Sequence, residues 1–370
     1  MKFNCATENF SKAASLASIS VPTSGITELA SVVLIRAEGE KVSLSSMNSE
    51  TNTSVVLGAN VSKEGSICLP ANVFADMIKR FSGDDISFES DGSFLVTMKS
   101  GRTKCEIAGA DPKDFPEAPN FKSEKEIKIS EKVFGDMIRG TAFAASTNEQ
   151  RPTIMGCLLE ITKDVTRMVA IDGYRIAVVE VSKAAKGEGK VNIPATALKD
   201  WGKISEGSDE EIAIKIGEKN ITIEKNTEEM EIKFTSRVIS GEFMDWQKFI
   251  PAEFKNEIVL EKSDMTRAIE RVSTVLTAAQ KAPIKLTFSK EGVDFYCETT
   301  VGKANDDIDK QSNLPEQVMG FNNRFLYEAV KNADSDEIKL MFNGPTDALM
   351  LANPEAGEKN YKYMVLPVRL

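Results

Sequence analysis

Ile67-Cys68-Leu69-Pro70, followed by Ala71 to Phe81 and then by Ile86-Ser87-Phe88 and Phe94-Leu95-Val96, reads as a strand, a helix and two more strands. The same pattern returns as Val191-Asn192-Ile193-Pro194, Ala195 to Ile204, Ile212-Ala213-Ile214 and Ile221-Thr222-Ile223. It returns again as Val318-Met319-Gly320-Phe321-Asn322, Asn323 to Asn332, Ile338-Lys339-Leu340 and Ala348-Leu349-Met350-Leu351. Pro70, Pro194 and Asn322 hold matching positions, 124 and 128 residues apart. Proline suits the first turn of a helix, where its missing N–H would be unpaired anyway, and asparagine suits the cap.

Other landmarks repeat at nearly the same interval. Phe3 to Leu16, Ile127 to Ile138 and Ile258 to Val272 each read as a strand entering an amphipathic helix, with polar starts at Thr7, Ser130 and Ser263. Asn48, Asp172 and Thr299 fall in the turn after matching strands, 124 and 127 residues apart. Phe115 of Asp114-Phe115-Pro116 and Phe243 of Glu242-Phe243-Met244-Asp245 lie 128 apart. A period this long makes each unit a domain with its own core rather than a solenoid repeat. The expected domains are 1–122, 123–251 and 252–370. The boundaries fall in Pro119-Asn120-Phe121-Lys122-Ser123 and Pro251-Ala252-Glu253-Phe254-Lys255. Each domain holds two short helices and many alternating strands. The connections are too short for repeated parallel crossovers, so the expected class is α+β with antiparallel sheets.

The chain stops on Tyr361-Lys362-Tyr363-Met364-Val365-Leu366-Pro367-Val368-Arg369-Leu370. Alternation predicts a strand with Met364, Leu366, Val368 and Leu370 on one side and Val365, Pro367 and Arg369 on the other. Such an ending is expected either packed into the fold or poised at a docking groove.

Composition narrows the function. The 370 residues include no histidine, which removes Ser-His-Asp and Cys-His nucleophiles and His-ligated zinc. Cys5, Cys68, Cys105, Cys157 and Cys297 are far apart and form no CxxC pair, so no metal site and no cofactor is expected. Buried thiols in a reducing cytoplasm fit best. No GxxxxGK[ST] phosphate loop occurs. No apolar run approaches the roughly 20 residues that span a bilayer, and Met1-Lys2-Phe3-Asn4 opens no signal-peptide core, so no membrane partner is expected.

The net charge of −10 argues against a generic polyanion binder. The charge is unevenly placed. The six expected helices, 7–19, 70–81, 130–142, 194–204, 262–277 and 322–332, together carry +4, leaving −14 for the rest. One reading is that Lys and Arg are simply good helix formers on solvated faces. The other is that helices from all three domains present Lys12, Lys79, Arg80, Arg139, Lys199, Lys203, Arg267 and Lys331 to one polyanion, held by phosphate contacts that carry no sequence information.

These landmarks resemble the DNA polymerase III β subunit family of bacterial sliding clamps. The resemblance rests on Asp114-Phe115-Pro116, Ile171-Asp172-Gly173-Tyr174-Arg175-Ile176-Ala177, Gly241-Glu242-Phe243-Met244-Asp245-Trp246, Gly320-Phe321-Asn322 and Tyr363 to Leu370, in this order along the whole chain. It implies a non-catalytic, ring-shaped homodimer of clamp domains, each chain forming half of the ring. Twelve helices would line a hole for double-stranded DNA, and domain 1 would meet domain 3 head to tail. Matching positions suggest Lys104, Cys105 and Ile107 on one dimer edge and Arg271, Val275 and Leu276 on the other. Asn148 and Arg151 match a loop near bound DNA.

The resemblance also implies a groove that accepts a short Gln-, Leu- and Phe-containing motif from the replicative polymerase, clamp loader and repair proteins. Matching positions are Ile154, Ile171, Gly173, Tyr174, Arg175, Ile176, Met244, Lys248, Phe249, Asn322, Phe325, Thr346, Ala348, Met364, Val365, Leu366, Pro367, Val368, Arg369 and Leu370. Apolar side chains would supply the trough, and Asn322, Arg175 and Arg369 would fix the peptide's direction. Read without the resemblance, Ile154, Ile176 and Val365 fit a core, Asp172-Gly173 an ordinary turn, Arg151-Pro152 a structural turn, and Arg175 and Arg369 surface ion pairs.

The chain departs from the family at Met244, where proline is common, and at Lys248, where arginine is usual. It departs also at Lys281, which can be apolar, and in the loop Pro22 to Glu28, which lacks a basic, proline-rich pattern. Two alternatives remain: a scaffold that keeps the groove without closing a ring, and an enzyme built on Asp172 with Arg175 or on a lysine, acting on a phosphorylated or acyl substrate.

Overall fold

Five strands run into helices with no residue between them, three of them at the start of a repeat. Lys2–Ala6 enters α1 (Thr7–Ala17), Lys125–Ser130 enters α3 (Glu131–Arg139), and Asn256–Glu261 enters α5 (Lys262–Val272). The other three helices are α2 (Ala71–Ile78), α4 (Ala195–Ile204) and α6 (Asn323–Asn332), so each sequence repeat carries two. The computed structural model describes residues 1–22, 31–116, 122–277, 282–355 and 357–370. Most of the loop Pro22 to Glu28, the boundary residues Pro119 to Phe121, and Lys281 lie outside the described residues.

The repeat has a physical basis in its turns. Asn48 Oδ1 accepts from the N–H groups of Glu50 and Thr51, both at 2.8 Å. Asp172 Oδ1 accepts from those of Tyr174 and Arg175, at 2.9 and 3.0 Å. Thr299 Oγ1 accepts from Val301 N–H at 3.2 Å. Each side chain closes the hairpin turn at its own level of the repeat. Likewise Glu211–Ile216 and Glu337–Phe342 share one alternation of exposed and buried residues, with one face turned to a core. Asn322 caps α6, accepting from Arg324 and Phe325 N–H at 3.0 and 3.4 Å. Pro70 stands one position earlier than expected, as the cap of α2 rather than in its first turn.

The chain packs as two compact units. One holds Met1–Phe134, Lys186–Gly189 and Thr196–Val238, and the other holds Gly135–Ala185, Lys190–Ala195 and Ile239–Leu370. Each draws strands from two repeats. In the first unit, Met230–Arg237 pairs antiparallel with Thr51–Gly58, Phe234 opposite Thr53, which extends one sheet across a repeat seam. In the second, Arg175–Ser182 pairs antiparallel with Lys359–Val365, Ile176 opposite Met364, to the same effect.

The first unit's core contains Phe3 stacked on Phe88, centroids 4.8 Å apart, with Phe10 edge-on to Phe3 and Phe74 at 5.6 and 5.8 Å. The buried stripe of α1, Phe10, Ala13, Ala14 and Ala17, has the spacing that aims one helix face at such a core. Cys5, Cys68, Cys157 and Cys297 are buried, Cys105 is half-buried, and none forms a disulfide. Burial, aided by Asp85, pushes the Cys5 thiol up to about 12, which keeps it protonated and inert.

A buried charge network also lies in the first unit. Lys225 Nζ reaches Glu131 at 3.1 Å and Glu206 at 3.0 Å, and Glu131 is fully buried. Burial alone would raise the Glu131 carboxyl, but hydrogen bonds from Ser208, Lys225 and the Glu206 N–H together hold it below its usual range. Burial likewise disfavours the Lys225 ammonium, and the two carboxylates outweigh it and raise its pKa. Removing one partner strands a buried charge. Lys225→Met is therefore expected to cost about 3–5 kcal/mol, and adding Glu131→Gln to recover part of it, as read by thermal unfolding. The depressed Glu131 pKa means its contribution is intact above the ordinary glutamate range near pH ~4.3 and is lost as pH falls below it. The raised Lys225 pKa means its contribution holds below the ordinary lysine value and fades only at higher pH.

Candidate functional site

The residues expected at the groove fall in the second unit, where the structure divides them into a floor, two cavities and a rim. The floor is an apolar cluster in which Ile171, Ile176 and Met364 pack with Leu158, Val169, Val178, Phe243, Trp246 and Met350, and Ala348 packs against it. The pairing of Arg175–Ser182 with Lys359–Val365 makes this floor, because it sets Ile176 opposite Met364. Ile154 and Val365 are buried in the core, and Ile171, Ile176 and Met364 are buried to a similar degree.

A first cavity of about 530 Å³ is lined by Leu276, Pro283, Asn322, Phe325 and Val368, among others. Leu276, expected at the dimer edge, thus lines a cavity shared with groove residues. A second cavity of about 540 Å³ is lined by Asn148, Arg151, Asp172, Gly173, Tyr174, Arg175, Arg324 and Phe325, among others. Phe325 and Arg324 line both. Tyr174 is 63% exposed, and its ring stacks on Phe325 with centroids 6.0 Å apart. Gly173 has φ +93°, which permits the tight turn that presents Tyr174.

Arg175 is not a surface residue; its side chain is only 3% exposed. Nε donates to Asp172 Oδ2 at 2.9 Å, Nη1 to Glu328 Oε2 at 2.5 Å, and Nη2 to the Phe143 carbonyl at 2.6 Å. The guanidinium lies over the Phe143 and Phe325 rings, 5.3 and 4.5 Å from their centroids. Arg175 thus lines the second cavity with its guanidinium already engaged within the fold, rather than as a surface ion pair. It acts through others, tying the Asp172–Tyr174 turn to α6 and bracing Phe325 from beneath. Nothing in the local sequence announces Phe143, which contributes a carbonyl and a ring. Glu328 had a signal, its i,i+4 spacing from Arg324, whose Nε donates to it at 3.0 Å.

The terminal strand ends at Val365, short of the expected Leu370. Pro367 lacks an N–H and breaks the ladder. The tail continues by single bonds: Leu366 N–H donates to Tyr174 O at 2.9 Å and Val368 N–H to Gly320 O at 2.8 Å. A Cβ at Gly320 would come 2.5 Å from Leu370 Cδ2, so the tail passes over the one residue without a side chain in its way. Leu366, Val368, Arg369 and Leu370 are left exposed at the rim. Met244, Lys248, Phe249 and Thr346 are exposed as well and line neither cavity. Lys248 pairs with Asp245 at 2.9 Å, which raises its pKa.

The residues expected to face DNA are more neutralised than their count suggests. Lys12 pairs with Glu206 at 2.5 Å and Lys203 with Asp200 at 2.6 Å, Arg139 is bonded to Asp136 and Arg267 to Asp264, and Lys331 lies over the Tyr327 ring. Lys79, Arg80 and Lys199 are exposed. At the expected dimer edges, Thr103–Ala108 and Lys303–Asp309 are each the outermost strand of a sheet. Lys104 is exposed and Cys105 half-buried, while Ile107 turns its side chain to its own core. Arg271 is exposed and bonded to Asp306 at 2.8 Å, and Val275 is half-buried. Among the described residues, no group of His, Cys, Asp and Glu has metal-binding geometry.

Domain models of the DNA polymerase III beta subunit match the chain three times: the N-terminal domain at residues 1–119, the central domain at 128–245 and the C-terminal domain at 247–369. The chain is 27% identical over 384 residues to the beta sliding clamp of Synechococcus elongatus, covering 100% of both. It is 26% identical over 348 residues to that of Staphylococcus aureus, covering 91% of both. Among solved structures, the sliding clamp of Bartonella birtlesii bound to griselimycin is 25% identical with a TM-score of 0.91 over 100% of both chains. The Bacillus subtilis clamp, at 22% identity, shares the fold with a TM-score of 0.90 over 100% of this chain and 99% of that one. Three successive clamp domains, matched in order over nearly the whole length, place the chain in the DNA polymerase III beta subunit family, the bacterial sliding clamps, which serve DNA replication as non-catalytic processivity factors.

Proposed function

We propose that two copies of this chain close head to tail into a ring around duplex DNA and tether partner proteins through the second unit's groove. The domains of this reading are 1–122, 123–251 and 252–370, three per subunit, in the cytoplasm. The observation that carries it is the ordered succession of N-terminal, central and C-terminal clamp domains in one chain. Two open edge strands support closure. Thr103–Ala108 follows Arg102 and carries Lys104 paired with Glu106 at 2.6 Å, a small positive balance, while Lys303–Asp309 carries Lys303 against Asp306, Asp307 and Asp309, a negative one. An edge strand presents unpaired N–H and C=O groups, and opposite charge favours one pairing over self-pairing. A head-to-tail contact of this kind stays finite only if rotation closes it.

The groove would take a short linear motif from the replicative polymerase, the clamp loader or repair proteins. Its apolar anchors would enter the first cavity, against Leu276, Pro283, Phe325 and Val368. Modest affinity suffices, because a partner that lets go of a linked ring remains at high effective concentration and rebinds.

Sedimentation velocity tests closure. The expected species is about twice the 40.5 kDa chain mass. A persistent monomer at working concentration would favour the open scaffold over the ring.

A further inference from the structure

Arg139 and Lys331 line a third cavity of about 240 Å³ in the second unit, between the C-terminal ends of α3 and α6. Val179 of Arg175–Ser182 and Tyr363 of Lys359–Val365 help to close it, and its lining shares no residue with the other two cavities. Sites for drug-sized ligands span roughly 300–1,000 Å³, so this one suits something smaller. Its wall is tight: a Cβ at Gly140 would come 2.6 Å from Val179 Cγ2 and 3.1 Å from the Tyr363 hydroxyl. That hydroxyl donates to the Asn332 carbonyl at 3.0 Å, and burial raises its pKa, so the phenol adds no negative charge.

The charged groups in the lining are Asp136, Arg139, Lys262, Lys331, Asp334 and Lys359. Four of them form one network without net charge. Asp136 accepts from Arg139 and, at 2.8 Å, from Lys359, which also reaches Asp334. Lys262 and Lys331 stand outside it. Lys262 Nζ donates to the Ala333 carbonyl at 2.6 Å, and Lys331 Nζ lies 5.5 Å from the Tyr327 ring centroid. Among the described residues no carboxylate pairs with either ammonium, so two positive charges are left uncompensated and most of their N–H donors unspent. Asn353 adds an unpaired acceptor. Its Nδ2 donates to the Lys359 carbonyl at 3.0 Å, while Oδ1 is buried with no hydrogen-bond partner among the described residues. A buried acceptor in that state calls for a donor.

We propose that this cavity binds inorganic phosphate as its monohydrogen dianion, with Lys262 and Lys331 as its charged partners. The ion's two negative charges match the two uncompensated ammonium groups, and hydrogen bonds between ionised partners are the strong ones. Its remaining O–H is a donor of the kind Asn353 lacks. A nucleic-acid backbone supplies different chemistry, because a phosphodiester carries one negative charge and no O–H.

The test is a phosphorus NMR titration of inorganic phosphate with the full-length protein, near neutral pH, with ionic strength held constant by chloride. Saturable broadening at one site per chain is expected. Lys331→Gln should weaken it about three- to tenfold. Lys163→Gln, at an exposed lysine outside the lining, should leave it unchanged. Thermal melting confirms that both variants fold. Binding should fade as pH falls through the second phosphate pKa, roughly 6 in monoesters, because the dianion becomes a monoanion. Dimethyl phosphate, with one charge and no O–H, should fail to displace the ion at equal concentration. Absence of saturable binding to wild type overturns the proposal, as does a Lys331→Gln variant that binds like wild type. So does displacement of the ion by dimethyl phosphate, or by a short duplex at equal phosphate concentration, which would make the cavity a backbone contact.

Discussion

Arg175→Ala will abolish measurable binding of a Gln-Leu-Phe motif peptide and lower the stability of the fold by about 3–5 kcal/mol, the usual cost of removing one partner from a buried ion pair. The argument is a count of groups left behind. The guanidinium satisfies Asp172, Glu328 and the Phe143 carbonyl at once and fills the space between two aromatic rings. Without it two carboxylates face each other across a void, and α6 loses its tie to the turn that presents Tyr174. Phe325, which lines both cavities, loses its support. Arg175→Lys keeps the charge but cannot reproduce the planar fork, so it should retain some stability while binding peptide more than tenfold more weakly, or about 1.4 kcal/mol or more. Peptide anisotropy and thermal unfolding on the same samples separate the two effects. A variant that melts and binds like wild type would refute the positioning role.

Much of the fold was legible because it is written locally. Strand alternation and helix periodicity repeat three times, and the side chains that close equivalent turns, Asn48, Asp172 and Thr299, were visible as matching positions before their hydrogen bonds were. The six expected helices all occur, several of them shorter, because their last apolar residues belong to following turns. What stayed hidden is long-range. No local pattern announces that Met230–Arg237 will pair with Thr51–Gly58, or Arg175–Ser182 with Lys359–Val365. The second of these pairings assembles the apolar floor. The turn at 171–176 is legible, but without the resemblance Arg175 fits a surface ion pair, since its partners Glu328 and Phe143 are remote in sequence. Apolar alternation runs on to Leu370, but Pro367 ends the strand at Val365.

The ion pairs on the helices bear on how DNA would be held. A cation already paired with a carboxylate releases few counterions when a phosphate approaches, so Lys12, Arg139, Lys203 and Arg267 would add little to affinity. A protein held on DNA by six to ten phosphate contacts alone loses about 10³–10⁵ in affinity between 50 and 200 mM salt. A net charge of −10 makes such a grip weaker still. Encirclement removes the dependence, because a closed ring on a closed circle cannot leave without one of them opening.

The measurement is retention on DNA through a high-salt gel-filtration step, with the protein placed on nicked circular duplex by a clamp loader and half of the sample cut by a restriction enzyme. The ring predicts that protein stays with the intact circle in high salt and runs off the cut, linear DNA. Equal loss from both forms, tracking salt alone, would contradict encirclement and leave only an electrostatic binder.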